Sequence, residues 1–138
     1  MVWLLDSNVL IALFDEAHEC HKVVETWYLS SLEVATCPIT EGALMRYMVR
    51  QGQSCVTVQA LLRDFAEHAG SQFWSDSVAY AEVDLGGVIG YRQVTDAYLA
   101  GLTRCHDGAR LVTLDRGLAL AYPDVVTLLG NPDRASRG

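Results

Sequence analysis

Lysine is nearly absent from this chain. Lys22 is the single lysine among 10 Lys plus Arg residues, so any chemistry that needs two lysines is excluded. Positive charge is in deficit as well. The 138 residues carry 17 Asp plus Glu, and the formal net charge is −7. That balance argues against a protein that grips nucleic acid chiefly through a basic face. No apolar run is long enough to cross a bilayer, so no membrane role is expected. The opening MVWLLDSNVLIALF is apolar, but it holds Asp6 near its middle and has no basic n-region. It reads as a strand running into a helix, not as a signal peptide. Closely paired cysteines are missing too: Cys20, Cys37, Cys55 and Cys105 stand far apart, with no C-x-x-C. They read as four reduced thiols of a cytoplasmic protein rather than as disulfides or a zinc site. With 51% hydrophobic and 20% charged residues, the chain suits one domain with one core.

Apolar spacing divides the chain into alternating elements. Val2–Leu5 is a continuous apolar run, suited to a strand covered on both faces. Ser7–Phe14 has helical spacing, with Ser7 or Asn8 as the expected cap. A second helix is expected over His18–Leu32, then a strand over Glu33–Cys37 that stops at Pro38. Helices follow from Thr40 to Gly52 and from Thr57 to His68, then a short strand, Gln72–Trp74. Gly86, Gly87 and Gly90 break up 78–91 into a helical turn and loop. A helix starts at Val94-Thr95, with Gly108 at its expected C-terminal cap. Ala109–Leu114 is the second buried-strand candidate, followed by a brief helix, Arg116–Tyr122, and a strand, Val125–Leu129. Asn131–Gly138 is a polar tail, which leaves one domain over residues 1–130. Strands alternating with helices predict an α/β domain with a mainly parallel sheet. Ligands of such sheets gather at the carboxyl ends of the strands, near a topological switch point.

Asp6 directly follows the first strand, and Asp115 directly follows the ARLVTL strand. Glu41 and Asp96 each fall in the first turn of a helix, where the dipole favours a carboxylate. Taken singly, each is explained as a helix cap or a dipole partner. Taken jointly, four carboxylates at element ends are better explained as a site. Crowded carboxylates push one another toward protonation, and a hard divalent cation resolves that conflict. Mg²⁺ or Mn²⁺ accepts oxygen ligands and leaves positions for water and phosphate, a set suited to phosphodiester hydrolysis.

Four segments carry a resemblance: LLDSNVLIAL, ITEGALMR, GYRQVTDAYLAGL and GARLVTLDRGL. In order and spacing they resemble PIN-domain ribonucleases, and more narrowly the VapC toxins of bacterial toxin–antitoxin pairs. The resemblance spans Val2 to Leu129. It implies a three-layer α/β/α sandwich and an Mg²⁺- or Mn²⁺-dependent endoribonuclease. It assigns the acidic set to Asp6, Glu41, Asp96 and Asp115. It places Ser7, Asn8 and Thr113 beside them, orienting carboxylates or water. It implies a homodimer and a VapB-type antitoxin that inserts a segment into the active-site groove. Arg116 and Gly117 follow Asp115, where some relatives have a further acidic residue that would support a second metal. Tyr91 stands where relatives often have His.

Arg92 and Arg116 flank Asp96 and Asp115 in sequence and are the best candidates for phosphate contacts, with salt bridging as the alternative. Arg110 also lies close by in sequence. His18-x-x-His21 with Glu25 has metal-binding spacing, but reads more simply as the polar face of a helix. Trp3, Trp27 and Trp74 read as core or interface residues. Receiver domains also gather acids at strand ends, but they need a lysine late in the chain. Haloacid-dehalogenase phosphatases need Asp-x-Asp, where this chain has Asp6-Ser7-Asn8. The remaining alternative is a PIN-like module that binds RNA or protein without cutting.

Overall fold

A computed structural model describes residues 1–31 and 33–130; the expected polar tail lies outside the described residues. Five strands form one all-parallel sheet: β1 (Trp3–Leu5), β2 (Val34–Thr36), β3 (Ser71–Phe73), β4 (Arg110–Thr113) and β5 (Val126–Leu128). Their spatial order is β3-β2-β1-β4-β5. The chain therefore winds outward from β1 in one direction, then returns to β1's other side and winds the opposite way. The switch point falls between β1 and β4.

Alternate residues of the three central strands, β2, β1 and β4, feed two cores. Leu5, Val34 and Val112 face a cluster built from α1 (Ser7–Phe14), α2 (His21–Ser30), α3 (Pro38–Arg50) and α4 (Cys55–Ala66). Leu4, Ala35 and Leu111 face the other cluster, with α5 (Val94–Arg104) and α6 (Arg116–Ala121). The result is a three-layer α/β/α sandwich. Right-handed crossovers require the reversal of winding to change the covered face. Burial on both faces explains why the central strands lack polar alternation.

Side-chain caps moved several element boundaries. Asp6, not Ser7 or Asn8, caps α1 by accepting the Ser7 N–H at 2.8 Å. The second helix begins at His21 rather than His18. Asp15 holds a turn by accepting the Ala17 N–H at 3.0 Å, and His18 Nδ1 accepts the Cys20 N–H at 3.0 Å. Pro38 is the first residue of α3, because its fixed φ and missing N–H suit that position. Ser54 starts α4 early by accepting the Thr57 N–H at 3.1 Å. Gly52, with φ of 99°, ends α3 in a left-handed cap: its N–H reaches Val49 O and the Gln53 N–H reaches Met48 O, each at 3.0 Å. Gly108 is not the cap of α5, which ends at Arg104. It is the left-handed residue, with φ of 73°, of a turn closed by the Ala109 N–H on His106 O at 3.0 Å.

The 78–91 stretch contains two short 3-10 turns, Tyr80–Glu82 and Tyr91–Gln93. Its first half is pinned to α5. Tyr98 OH donates to Val78 O at 2.8 Å, and Val83 packs so closely on Gly101 that a Cβ there would meet Val83 Cγ1 at 2.9 Å. Gly101→Ala is therefore expected to lower stability by about 1–3 kcal/mol through overpacking. Urea unfolding checks this, and Val83→Ala in the same chain should recover part of the loss.

Candidate active site at the switch point

Asp6 sits at the carboxyl end of β1, carried there by its N–H bonding Val112 O at 3.0 Å across the switch point. Its side chain is buried. One oxygen accepts the Ser7 N–H, and Oδ2 accepts the Thr113 hydroxyl at 2.6 Å. Burial pushes its carboxyl above the usual carboxylate range; the bonds from Thr113 and Ser7 oppose the shift, and the Asp115 charge adds to it. Thr113 ends β4 and has several partners. Its Oγ1 accepts the Asp115 N–H at 3.0 Å and the Asn8 amide at 3.4 Å. Asn8 Oδ1 in turn accepts the Leu114 N–H at 3.1 Å. Asn8 and Thr113 thus clamp the β1–α1 corner to the β4–α6 corner. Ser7 contributes its backbone N–H rather than its hydroxyl.

Asp115 caps α6: Oδ1 accepts the N–H groups of Gly117 at 2.8 Å and Leu118 at 3.3 Å. Asp96 projects from the first turn of α5 and is half-buried. Burial, then the charges of Asp6 and Asp115, push its carboxyl up from 3.8 to about 6. Asp6, Asp96 and Asp115 therefore share one electrostatic field, although they come from three distant parts of the chain. Asp96 and Asp115 line a cleft of about 310 Å³ with Gly87, Arg92, Gln93 and Tyr122.

Glu41 stands one strand away from this group. It opens α3 at the end of β2, and its Oε2 accepts the Thr36 hydroxyl at 2.6 Å. It lines a second, larger cleft of about 640 Å³ with Thr36, Met45, Arg63 and Phe73. Sequence reasoning missed Thr36 because a hydroxyl at a strand end carries no local signal of its partner. Of the arginines near the aspartates in sequence, Arg92 lies on the cleft wall. Arg116 is exposed at the start of α6 and does not line the cleft. Arg110 sits at the opposite end of β4, where it binds Thr127 Oγ1 at 2.7 Å and the carbonyls of Pro123, Asp124 and Val126. His18 and His21 do not pair over a metal: His21 Nδ1 bonds Ala12 O at 2.7 Å while Nε2 meets Glu25 at 3.3 Å. Trp74 is core and stacks on His106, with centroids 3.6 Å apart.

The donor chemistry fits a hard divalent cation. The grouped side chains are all carboxylates, and their mutual repulsion is the kind a cation relieves. In this geometry, however, no group of three or more His, Cys, Asp or Glu among the described residues stands close enough to hold an ion. Among those residues no helix is long and apolar enough to cross a membrane.

The chain is 45% identical over 130 residues to Ribonuclease VapC29 of Mycobacterium tuberculosis, covering 94% of this chain and 97% of that one. The chain belongs to the VapC ribonuclease family. Ribonuclease VapC38 of the same organism is 34% identical, over 83% of this chain and 86% of its own length. Ribonuclease VapC44 is 34% identical, over 85% and 88%. Among solved structures, VapBC2 from Rickettsia felis bound to promoter DNA aligns with a TM-score of 0.64 at 16% identity, covering 94% of this chain and 100% of that one. FitAB bound to IR36 DNA aligns with a TM-score of 0.60 at 20% identity, covering 93% and 94%. At these identities the likeness concerns the fold alone. No protein-family model matches the chain.

The shift at Asp96 has a consequence for stability. A carboxyl held above its unfolded value stabilises the fold while protonated, and that contribution is lost as pH rises toward and through about 6. Asp96→Asn, which is never charged, should raise the melting temperature of the metal-free protein near neutral pH. Below about pH 4, where Asp96 itself is protonated, the gain should vanish. Thermal unfolding across pH, in chelator, checks both limits.

Proposed function

We propose that this VapC-family ribonuclease is an endonuclease that hydrolyses RNA phosphodiester bonds with Mg²⁺ or Mn²⁺ at Asp6, Asp96 and Asp115. The reading is carried by the placement of three carboxylates at one edge of the sheet, Asp6 after β1, Asp115 after β4 and Asp96 in the first turn of α5, where burial and the charges of Asp6 and Asp115 push Asp96 up to about 6. A cluster of this sort destabilises the bare protein and becomes favourable once a cation is bound. When bound, the cation would supply counter-charge, a nucleophilic water near neutral pH and stabilisation of the leaving oxygen.

The chain's own residues orient the site. Thr113 and the Ser7 N–H fix both oxygens of Asp6, and the first N–H groups of α6 fix Asp115. Asn8 keeps the two corners in register. Arg92, on the cleft wall, suits bidentate contact with a phosphate. Glu41, held by Thr36, bounds the same sheet edge where the RNA strand would pass toward the larger cleft. Water attacks phosphorus in line and the 3′ oxygen leaves, so the 2′-hydroxyl is not required.

A VapB-type antitoxin as partner, acting in the cytoplasm, is part of the same proposal. It is supported by the VapBC2 and FitAB complexes that share this fold. The net charge of −7 suits an antitoxin segment that carries arginine or lysine. A homodimer is proposed on the family resemblance.

Asp6→Asn and Asp96→Asn should each abolish RNA cleavage while the fold persists. Chelation should stop the wild type, and Mg²⁺ or Mn²⁺ should restore it. End mapping should show 5′-phosphate and 3′-hydroxyl; a 2′,3′-cyclic phosphate would sink the mechanism. Thr113→Val removes the hydroxyl that holds Asp6, and should weaken Mn²⁺ binding about 10- to 100-fold by calorimetry. No metal binding by the wild type would favour a non-cutting module.

A further inference from the structure

We propose that Tyr91 is a stacking platform for an unpaired base of the RNA, next to the phosphate that enters the acidic cleft. This makes Tyr91 a residue that selects substrate, and it rests on the ribonuclease reading above. The ring contributes little to the core, since Tyr91 is 81% exposed. A tyrosine kept for packing buries its ring and leaves only the hydroxyl wet.

The segment around it is nevertheless ordered. The Gln93 N–H donates to Gly90 O at 3.0 Å, and the Ile89 N–H donates to Gln93 Oε1 at 2.8 Å. Arg92 Nε donates to the Tyr91 hydroxyl at 3.2 Å, with its guanidinium carbon over the ring at 5.6 Å from the centroid. The guanidinium sits toward the hydroxyl end of the ring, and the high exposure leaves a ring face open to a flat group. Little ordering entropy remains to be lost when a ligand stacks there.

Position supplies the second half of the argument. The Tyr91–Gln93 turn runs directly into α5, which carries Asp96 in its first turn. Arg92 and Gln93 line the same cleft as Asp96 and Asp115. A phosphate drawn in past Arg92 leaves its neighbouring base beside the Tyr91 ring. Bases of single-stranded RNA stack readily on aromatic faces, because every base has one. A chain of net charge −7 gains little RNA affinity from general attraction, so an uncharged contact carries more of the binding.

The test uses short fluorescein-labelled single strands of adenosine, of uridine and of abasic ribose. All proteins retain Asp6, and anisotropy is read in Ca²⁺ in place of Mg²⁺, a larger oxygen-seeking cation used to suppress cleavage. Tyr91→Ala should weaken binding of the adenosine strand about tenfold, with a smaller loss for uridine. Tyr91→Phe and Tyr91→Trp should retain binding, whereas Tyr91→Leu should not. The abasic strand should bind equally with or without the Tyr91 ring. Tyr91→Ala should leave the salt dependence unchanged, while Arg92→Gln should lower its slope by about one. Equal affinity of Tyr91→Ala for the adenosine strand, full rescue by leucine, or an equal loss with the abasic strand would each overturn the stacking role alone. Failure of every strand to bind with Tyr91 intact would overturn the ribonuclease reading along with it.

Discussion

Repulsion among Asp6, Asp96 and Asp115 is the constraint around which the functional end of this fold is arranged. Burial removes much of the water that would screen Asp6 and Asp96, and the cost is visible in their raised carboxyls. Left to themselves, such side chains would turn away or take up protons. The fold prevents turning by giving each a fixed donor or a fixed element. Asp6 accepts from Thr113 and Ser7, Asp115 accepts from the start of α6, and Asp96 rides on a helix buried against the sheet. What remains is their mutual repulsion, which the proposed cation would relieve.

The clamp between Asn8 and Thr113 makes that arrangement cooperative. It joins the corner after β1 to the corner after β4, two segments more than a hundred residues apart in sequence (|i−j| = 105 for the Asn8–Thr113 bond). Each corner is a strand end that becomes a helix cap, so a small rotation at one would reach the other. The aspartates are thereby set by the core itself, through strands whose neighbours include the fully buried Leu4, Leu5, Leu111 and Val112. The most exposed segment beside the site is the 78–93 connection. It is anchored to α5 by Val83 and Tyr98, yet it leaves Ile89 and Tyr91 exposed.

Much of this was legible in the chain. Val2–Leu5 and Ala109–Leu114 are apolar runs each ending in aspartate, and the structure places both as neighbouring parallel strands. Helical spacing located the six α-helices of the described residues, with ends displaced where Ser54, Pro38 or Asp15 imposed local constraints that spacing alone does not reveal. The stretch 78–91 stayed opaque because its glycines permit many conformations. What settles it is packing against Gly101 and Tyr98, residues that follow it in the chain.

The sequence by itself determined the α/β class and family membership, and it marked Asp6, Glu41, Asp96 and Asp115 as carboxylates at element ends. Those are local properties: an apolar run, a cap and a dipole are written within a few residues. Only the tertiary structure decided which of them share a field. Strand order brings Asp6, Asp96 and Asp115 together and leaves Glu41 with Thr36. The same long-range arrangement sends Arg110 to the far end of β4 and brings Arg92 into the cleft. Proximity in sequence could not separate these outcomes, because it carries no information on which end of a strand, or which side of the switch point, a side chain will occupy.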